Sequence, residues 1–186
     1  PSRTRDRLNG YKPVRFERVV GRAMLNPLYP VRVFDTSAAA FCDSGAFQDL
    51  GKRDRLLPRQ ALDRQLRYEE QLRWRMDDHA FHYEALCIYD QMAGVDEAIV
   101  NGQKRKIRGN EETAARAIAE TLYSAEYYSL QRGRIAGKLC FVGQGVTSEQ
   151  YVNDCVAAMA WLMQPGDWFA FGGFCILGRQ RSLLPI

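Results

Sequence analysis

The sequence predicts an α/β fold built on a parallel β-sheet, because short apolar runs alternate with amphipathic helical segments along the chain. Four of these runs end abruptly in small and polar residues, as buried parallel strands do where their carboxyl ends open into a ligand site. In parallel α/β folds, ligands bind at the carboxyl ends of the strands. The residues that follow the four runs are Asp43, Asp90, Gln144 and the pair Gly172 and Gly173.

Three helices are predicted between the runs. The first covers about 58–76 and begins with a proline, which suits the first turn of a helix. The second covers about 111–130, with Asn110 as its N-cap. The third follows Thr147 and Gln150, which have the spacing of a capping box. Strands that alternate with helices in this way are typical of parallel sheets.

The bulk composition predicts a single domain over 1–186 in a cytoplasmic protein. The length of 186 residues fits one domain. No apolar stretch reaches the roughly 18–20 residues needed to cross a membrane, and the basic, polar first 20 residues do not form a signal peptide. The five cysteines are an odd number without Cys-x-x-Cys spacing. They are interpreted as buried apolar side chains in a reducing compartment, with no metal site and no cofactor.

The placement of positive charge is more informative than the net charge of +4. Basic residues follow three of the four runs, and loops after parallel strands share one end of the sheet. Positive side chains there would suit a polyanion such as a nucleic acid, although solvated surface loops are also commonly charged. The candidate nucleic-acid-binding residues are Lys52, Arg53, Lys104, Arg105, Lys106, Arg108 and Arg179.

The four strand-end motifs together resemble the queuine and archaeosine tRNA-guanine transglycosylase superfamily. The segment 43–48 reads Asp-Ser-Gly-Ala-Phe-Gln, similar to the family's Asp-Ser-Gly-Gly-Phe-Gln. Tyr89-Asp90, Gln144-Gly145 and the segment 169–174 (Phe-Ala-Phe-Gly-Gly-Phe) resemble its later motifs in the same order, over about 35–180. Ala46 in place of glycine, Gln91 in place of an acidic residue and the order Gly-Gln-Gly at 143–145 indicate a distant branch, such as the related enzymes that modify DNA.

The resemblance implies a (β/α)8 barrel, which typically needs about 250 residues. We therefore expect an incomplete or reduced barrel whose last strands are missing. In the family, the aspartate that acts as the covalent nucleophile and the structural zinc site lie further along the chain than the motifs matched here. The sequence thus predicts a fragment, a partner that supplies the second aspartate, or an Asp43 that does both jobs; the fragment is favoured.

The resemblance also assigns roles. Asp43 matches the acid/base aspartate, and a carboxylate is able to move a proton or stabilise the oxocarbenium-like state of base exchange. Asp90 matches the residue that reads the guanine N1 and N2 edge, where two N–H groups suit two carboxylate oxygens. Tyr89, Phe47 or Phe174 is expected to stack on the base. The full set of predicted base-binding residues is Ser44, Gln48, Asp90, Gln144, Gly172, Gly173 and Phe174.

These expectations predict a base-exchange enzyme that replaces guanine in tRNA or DNA with a 7-deazaguanine such as preQ0 or preQ1. Its partners would be the nucleic acid, the base and a second subunit, identical or different, without a membrane. A second hypothesis is a non-catalytic base- or nucleic-acid-binding subunit of a heteromeric transglycosylase. A third is an unrelated barrel enzyme that acts on a phosphorylated metabolite, but no glycine-rich loop opening a helix supports it.

Overall fold

A computed structural model describes residues 23–28, 39–49, 55–92, 95–100, 103–108, 110–144 and 149–172. Within these ranges, five parallel strands form one sheet, and two antiparallel strands form a separate ribbon. The strands in chain order are β1 (Ala23–Leu25), β2 (Ala40–Cys42), β3 (Ala85–Cys87), β4 (Val95–Val100), β5 (Gln103–Arg108), β6 (Lys138–Gly143) and β7 (Trp168–Phe171). The predicted parallel α/β fold is therefore confirmed.

The sheet has the order β1-β2-β3-β6-β7, so that every pair of neighbours is also consecutive in the chain once the ribbon is set aside. The three central strands are short and buried along nearly their whole length. Continuous apolar strands of this kind are expected where both faces of a parallel sheet are covered. The consecutive order also brings all five carboxyl ends to one edge of the fold, because parallel strands point the same way.

Within the described residues, helices occupy the connections from β2 to β3, from β5 to β6 and from β6 to β7. They are α1 (Ala46–Asp49), α2 (Pro58–Met76), α3 (Glu111–Leu130) and α4 (Glu149–Ala160). Helix α2 starts with proline as predicted, and the Asn110 side chain accepts a hydrogen bond from Thr113 N at 2.9 Å, which caps α3. Helix α3 packs against both α2 and α4, and α3 and α4 also pack on β6.

The core lies between these helices and the sheet. Among its fully buried side chains are Leu62 and Leu72 of α2, Tyr128 of α3 and Phe141 of β6. Four of the cysteines, Cys42, Cys87, Cys140 and Cys155, are buried and unpaired, which agrees with their interpretation as small apolar residues. Cys175 lies outside the described residues.

The ribbon corrects one expectation. Lys104, Arg105, Lys106 and Arg108 were expected in a loop, but they lie on β5, which pairs with β4. The run of charged residues hides the strand, because the alternation of apolar and polar residues that normally reveals a strand is absent from it.

At the amino-terminal end of the sheet, Asp167 precedes β7. Its carboxylate accepts hydrogen bonds from Arg132 Nη1 at 3.0 Å and from Leu139 N at 3.1 Å. Asp167 therefore ties β6, β7 and the turn after α3 together, far along the strands from the predicted site. No helix of the described residues is long and apolar enough to span a membrane.

Candidate active site at the carboxyl ends of the strands

Each of the five parallel strands delivers one polar or small residue just after its carboxyl end. Asn26 follows β1, Asp43 follows β2, Asp90 lies three residues beyond β3, Gln144 follows β6 and Gly172 follows β7. Backbone hydrogen bonds continue the sheet into this region, from Asp43 N to the carbonyl of residue 25 at 2.7 Å and from Gly172 N to the carbonyl of residue 143 at 2.8 Å. The backbone of the sheet thus fixes the relative positions of these residues.

Asp90 is at the centre of a hydrogen-bonded cluster. Ser44 Oγ donates to Asp90 Oδ1 at 3.1 Å, and Gln144 Nε2 donates to Asp90 Oδ2 at 2.6 Å. Both carboxylate oxygens are therefore oriented by neighbours from two different strand ends. Three of the residues predicted to bind the base lie together.

The environment of Asp90 shifts the ionisation of its carboxyl toward neutral pH. Burial raises the pKa of the Asp90 carboxyl to about 6, and the nearby charge on Asp43 also raises it. The hydrogen bonds from Ser44 and Gln144 lower the pKa, but they do not offset the burial. A carboxyl group whose pKa lies close to neutrality is a common feature of functional sites.

Asp43 has a different set of contacts. Asn26 Nδ2 donates to Asp43 Oδ2 at 2.6 Å and to Gln48 Oε1 at 3.1 Å, and Asn26 Oδ1 accepts from Leu28 N at 2.9 Å. Asn26 therefore orients both Asp43 and Gln48, while Asp43 stays partly exposed. Asn26 was not predicted from the sequence, because the three-residue strand before it is too short to show a pattern.

Gln144 and Gly172 fit closely against each other. A Cβ atom on Gly172 would lie 1.9 Å from Gln144 Nε2, the atom that donates to Asp90. The absence of a side chain at position 172 is therefore required by Gln144. Gln144 Oε1 is buried and has no hydrogen-bond partner within the described part of the chain. A buried acceptor of this kind is costly in a finished core, and it is more common at a site that a ligand completes.

Helix α2 contacts the ends of β2 and β3 through Gln65, which is fully buried. Gln65 Nε2 donates to the carbonyl oxygen of Cys87 at 2.9 Å and to that of Asp43 at 3.2 Å. Tyr128 Oη donates to Gln65 Oε1 at 2.7 Å. One amide thereby joins the end of β2 to the end of β3, the two strands that carry the aspartates. This role was not predicted, since a glutamine within a helix usually faces solvent.

The neighbouring residue Arg64 holds the turn that contains Ser44. Its guanidinium donates to the Ser44 carbonyl and forms an ion pair with Asp49 at 3.0 Å. Gly45 adopts φ +74° beside it, a conformation that favours glycine. Tyr89 Oη donates to Asp49 Oδ2 at 3.1 Å, and the ring of Tyr89 is buried. The expectation that Tyr89 stacks on a base is therefore wrong.

The remaining predicted residues are not brought into this cluster by the described structure. Lys104, Arg105, Lys106 and Arg108 lie on the ribbon that begins five residues after Asp90. The residues that lie outside the described ranges are Lys52, Arg53, Gly173, Phe174 and Arg179. No group of three or more His, Cys, Asp or Glu residues within the described ranges has the arrangement of a metal site.

Comparison with known proteins adds no family to these observations. No protein-family model matches the chain, and no curated protein matches it. The functional conclusion therefore depends on the geometry of the site and on the resemblance of its motifs.

Proposed function

We propose that this protein is a base-exchange transglycosylase that replaces guanine in a nucleic acid with a 7-deazaguanine. The observation that carries the proposal is the cluster in which Ser44 and Gln144 orient both oxygens of Asp90, with Asp43 at the next strand end. Ser44, Asp90 and Gln144, which lie together, belong to three of the strand-end motifs that resemble the transglycosylase superfamily.

Asp90 has the chemistry to read the base. Guanine presents two N–H donors on one edge, and a carboxylate offers two acceptors side by side. Gln144 uses one amide N–H on Asp90 and has a second N–H for the guanine O6. The arrangement would select a purine that has donors at N1 and N2 and an acceptor at O6.

Asp43 is the group assigned to proton transfer. It is a partly exposed carboxylate at the strand end next to that of Asp90, and Asn26 holds one of its oxygens. Base exchange breaks the bond between C1′ and the base nitrogen, and the leaving base needs a proton. Asp49, the other carboxylate of this region, is buried in an ion pair with Arg64 and is not suited to that role. In this proposal the nucleophile is a carboxylate that is not assigned among the described residues, unless Asp43 does both jobs.

We also propose that the sheet is part of a (β/α)8 barrel. Its five strands follow one another in chain order, and α2, α3 and α4 pack side by side. Right-handed crossovers in a consecutive order place all helices on one face, as in a barrel. A doubly wound sheet would instead reverse its order at a switch point.

The proposal is tested by exchange of radiolabelled guanine into tRNA and into duplex DNA with the full-length protein. Asp43→Asn is expected to lower the exchange rate by at least about 10²-fold with little change in base affinity. The control is Asp63→Asn, which removes a carboxylate from an exposed ion pair with Arg134 and should change little. Equal exchange by Asp43→Asn and wild type would exclude the assigned role.

Binding measurements on the same proteins distinguish an enzyme from a non-catalytic binding subunit. Calorimetry with 7-cyano-7-deazaguanine is expected to show binding that Asp90→Asn weakens by about 2–4 kcal/mol, because an acceptor is replaced by a donor that faces the ligand's own donors. A wild type that binds this base but exchanges neither nucleic acid would support a non-catalytic binding subunit. A wild type that does neither would contradict the proposed function.

A further inference from the structure

The β4–β5 ribbon begins at the predicted site. Strand β3 ends at Cys87, Asp90 follows at the carboxyl end of the sheet, and β4 starts at Val95. The ribbon has two strands of six residues and pairs with no other strand in the described ranges. At about 3.4 Å per residue it is about 20 Å long. The ribbon is therefore an insertion of about this length in the connection that follows the Asp90 strand end and leads to α3.

The register of the ribbon divides its charges unequally between its two faces. Residues that pair directly across an antiparallel ribbon share a face, and successive residues alternate between faces. One face therefore contains the positions of Lys104, Lys106 and Arg108, together with Glu97, which pairs with Lys106. The opposite face contains the positions of Arg105 and Asp96, one of each sign.

Resting on the proposed function, we infer that the Lys104–Lys106–Arg108 face of this ribbon binds the phosphate backbone of duplex DNA, with the ribbon lying along the major groove. The major groove of B-form DNA is about 12 Å wide and admits a two-stranded β-ribbon. The major groove of A-form RNA is too narrow for protein elements, so RNA would meet the ribbon differently. Assigning the ribbon to a major groove therefore favours DNA between the two nucleic acids that the proposed function allows.

The position of the ribbon also suits the chemistry. A guanine within a duplex must leave the stack before its glycosidic bond is reached, and extrusion costs a few kcal/mol. A ribbon rooted beside Asp90 would hold the flanking duplex while the extruded guanine enters the site. Phosphate contacts fix the register of a protein on DNA without reading sequence, which is the task assigned to this face.

The first experiment compares adjacent cations on opposite faces. The affinity of a 20-base-pair DNA duplex is measured between 50 and 200 mM salt for wild type, Lys104→Ala and Arg105→Ala. Lys104→Ala is expected to lose about fivefold in affinity and about 0.9 in the slope of log K against log salt, the value for one phosphate contact. Arg105 was predicted to bind nucleic acid as well, but the register places it on the opposite face. Arg105→Ala removes the same charge one residue away and is therefore expected to change affinity less than twofold. Equal losses in the two variants would overturn the inference.

The second experiment removes acidic residues and predicts an increase in DNA affinity. Glu97→Gln removes a negative charge from the proposed DNA-binding face, and we expect it to increase DNA affinity about three- to fivefold. Asp96→Asn, the matched change on the opposite face, should leave affinity unchanged. A gain of function is not produced by misfolding, so these variants keep the test decisive if the alanine variants are unstable.

The outcomes distinguish this inference from the proposed function. A face-dependent loss with tRNA instead of DNA would overturn the assignment to duplex DNA. Exchange into DNA without any difference between the faces would overturn the role of the ribbon and leave the enzyme intact. Face-dependent DNA binding without exchange of any base would support the ribbon and contradict the transglycosylase.

Discussion

At the scale of single residues, Asp90 combines two opposing demands. Hydrogen bonds from Ser44 and Gln144 favour its ionised form, while burial raises the pKa of its carboxyl to about 6. The two aspartates are visible in the sequence because each follows an apolar run. Asn26, which orients the Asp43 side chain, and Gln65, which joins the backbone of the two strand ends, were not predicted, because their roles depend on the spatial proximity of strand ends that are distant in the chain.

The raised pKa of Asp90 predicts the pH dependence of base binding. The ionised carboxylate accepts both N–H groups of the base, so affinity should rise with pH and level off above about pH 7. Calorimetry between pH 5 and 8 measures it, and Asp90→Asn should remove the dependence. An affinity that is constant across this range would contradict the assignment of Asp90 to the base.

Asp90 also makes stability depend on pH, but in the opposite direction to base affinity. The folded state binds this proton more tightly than the unfolded state, whose carboxyl has a pKa near 3.8. As pH rises from about 4 to 6, the carboxyl ionises in the unfolded state while it stays largely protonated in the folded state. The free energy of unfolding therefore falls across this interval. Denaturant unfolding of wild type and Asp90→Asn should show the wild type losing stability relative to the variant across that interval.

Gln65→Met tests the buried link between the strand ends. Methionine fills a similar volume but cannot donate to the carbonyls of Asp43 and Cys87, and it leaves the Tyr128 hydroxyl without its acceptor. We expect a loss of about 2–3 kcal/mol in the free energy of unfolding, and a lower exchange rate in the fraction that remains folded. Tyr128→Phe retains the amide link and should lose only about 1 kcal/mol with normal exchange. Normal exchange by folded Gln65→Met would show that the link is purely structural.

At the scale of elements, helices were easier to predict than strands. Helix α2 begins at its proline and α3 follows its asparagine cap, because such signals are local in sequence. Strand β1 has three residues, and β5 consists largely of charged residues, so neither shows the period of two on which recognition depends. Their existence is a consequence of pairing with neighbours, which a local pattern does not encode.

The contact between β6 and β7 gives a prediction for Gly172. A methyl group at this position would displace Gln144 from Asp90, because only 1.9 Å separates the added carbon from Gln144 Nε2. Gly172→Ala should therefore lower base affinity about tenfold, as expected for the loss of one hydrogen bond to a charged group. Gly133→Ala, where no atom lies within 4 Å of the added carbon, is the matched control and should bind normally. Unchanged affinity in Gly172→Ala would exclude the proposed role of Gln144.

At the scale of the whole molecule, the two ends of the sheet have different roles. The carboxyl end carries the aspartates and the ribbon, and the amino end carries the ion pair of Asp167 with Arg132. Barrel folds divide function and stability between their ends in this way. The parallel sheet was predictable from the alternation of elements, whereas its extension into a barrel depends on strands beyond those described.

Asp167→Asn tests this division. The Asp167 side chain is fully buried, and hydrogen bonds from Arg132, Gln164 and Leu139 outweigh burial and lower the pKa of its carboxyl below 3.8. The variant should lose about 2–3 kcal/mol of stability at pH 7, or roughly 4–12 °C in Tm, with normal base affinity at 20 °C. Wild type should lose this contribution as pH falls below about 4, and the variant should not. Impaired base binding at full stability would contradict the separation of the two ends.

The register of the ribbon has a consequence for how such a protein could change. Val95 and Arg108 are paired, so the insertion leaves and re-enters the fold at neighbouring points, about 5 Å apart. A link of one or two residues would close that gap, and the catalytic edge would keep its covalent framework. If the ribbon binds DNA as we infer, recognition of the polymer would be a separate module that could be lengthened, exchanged or lost while the residues at the strand ends are kept.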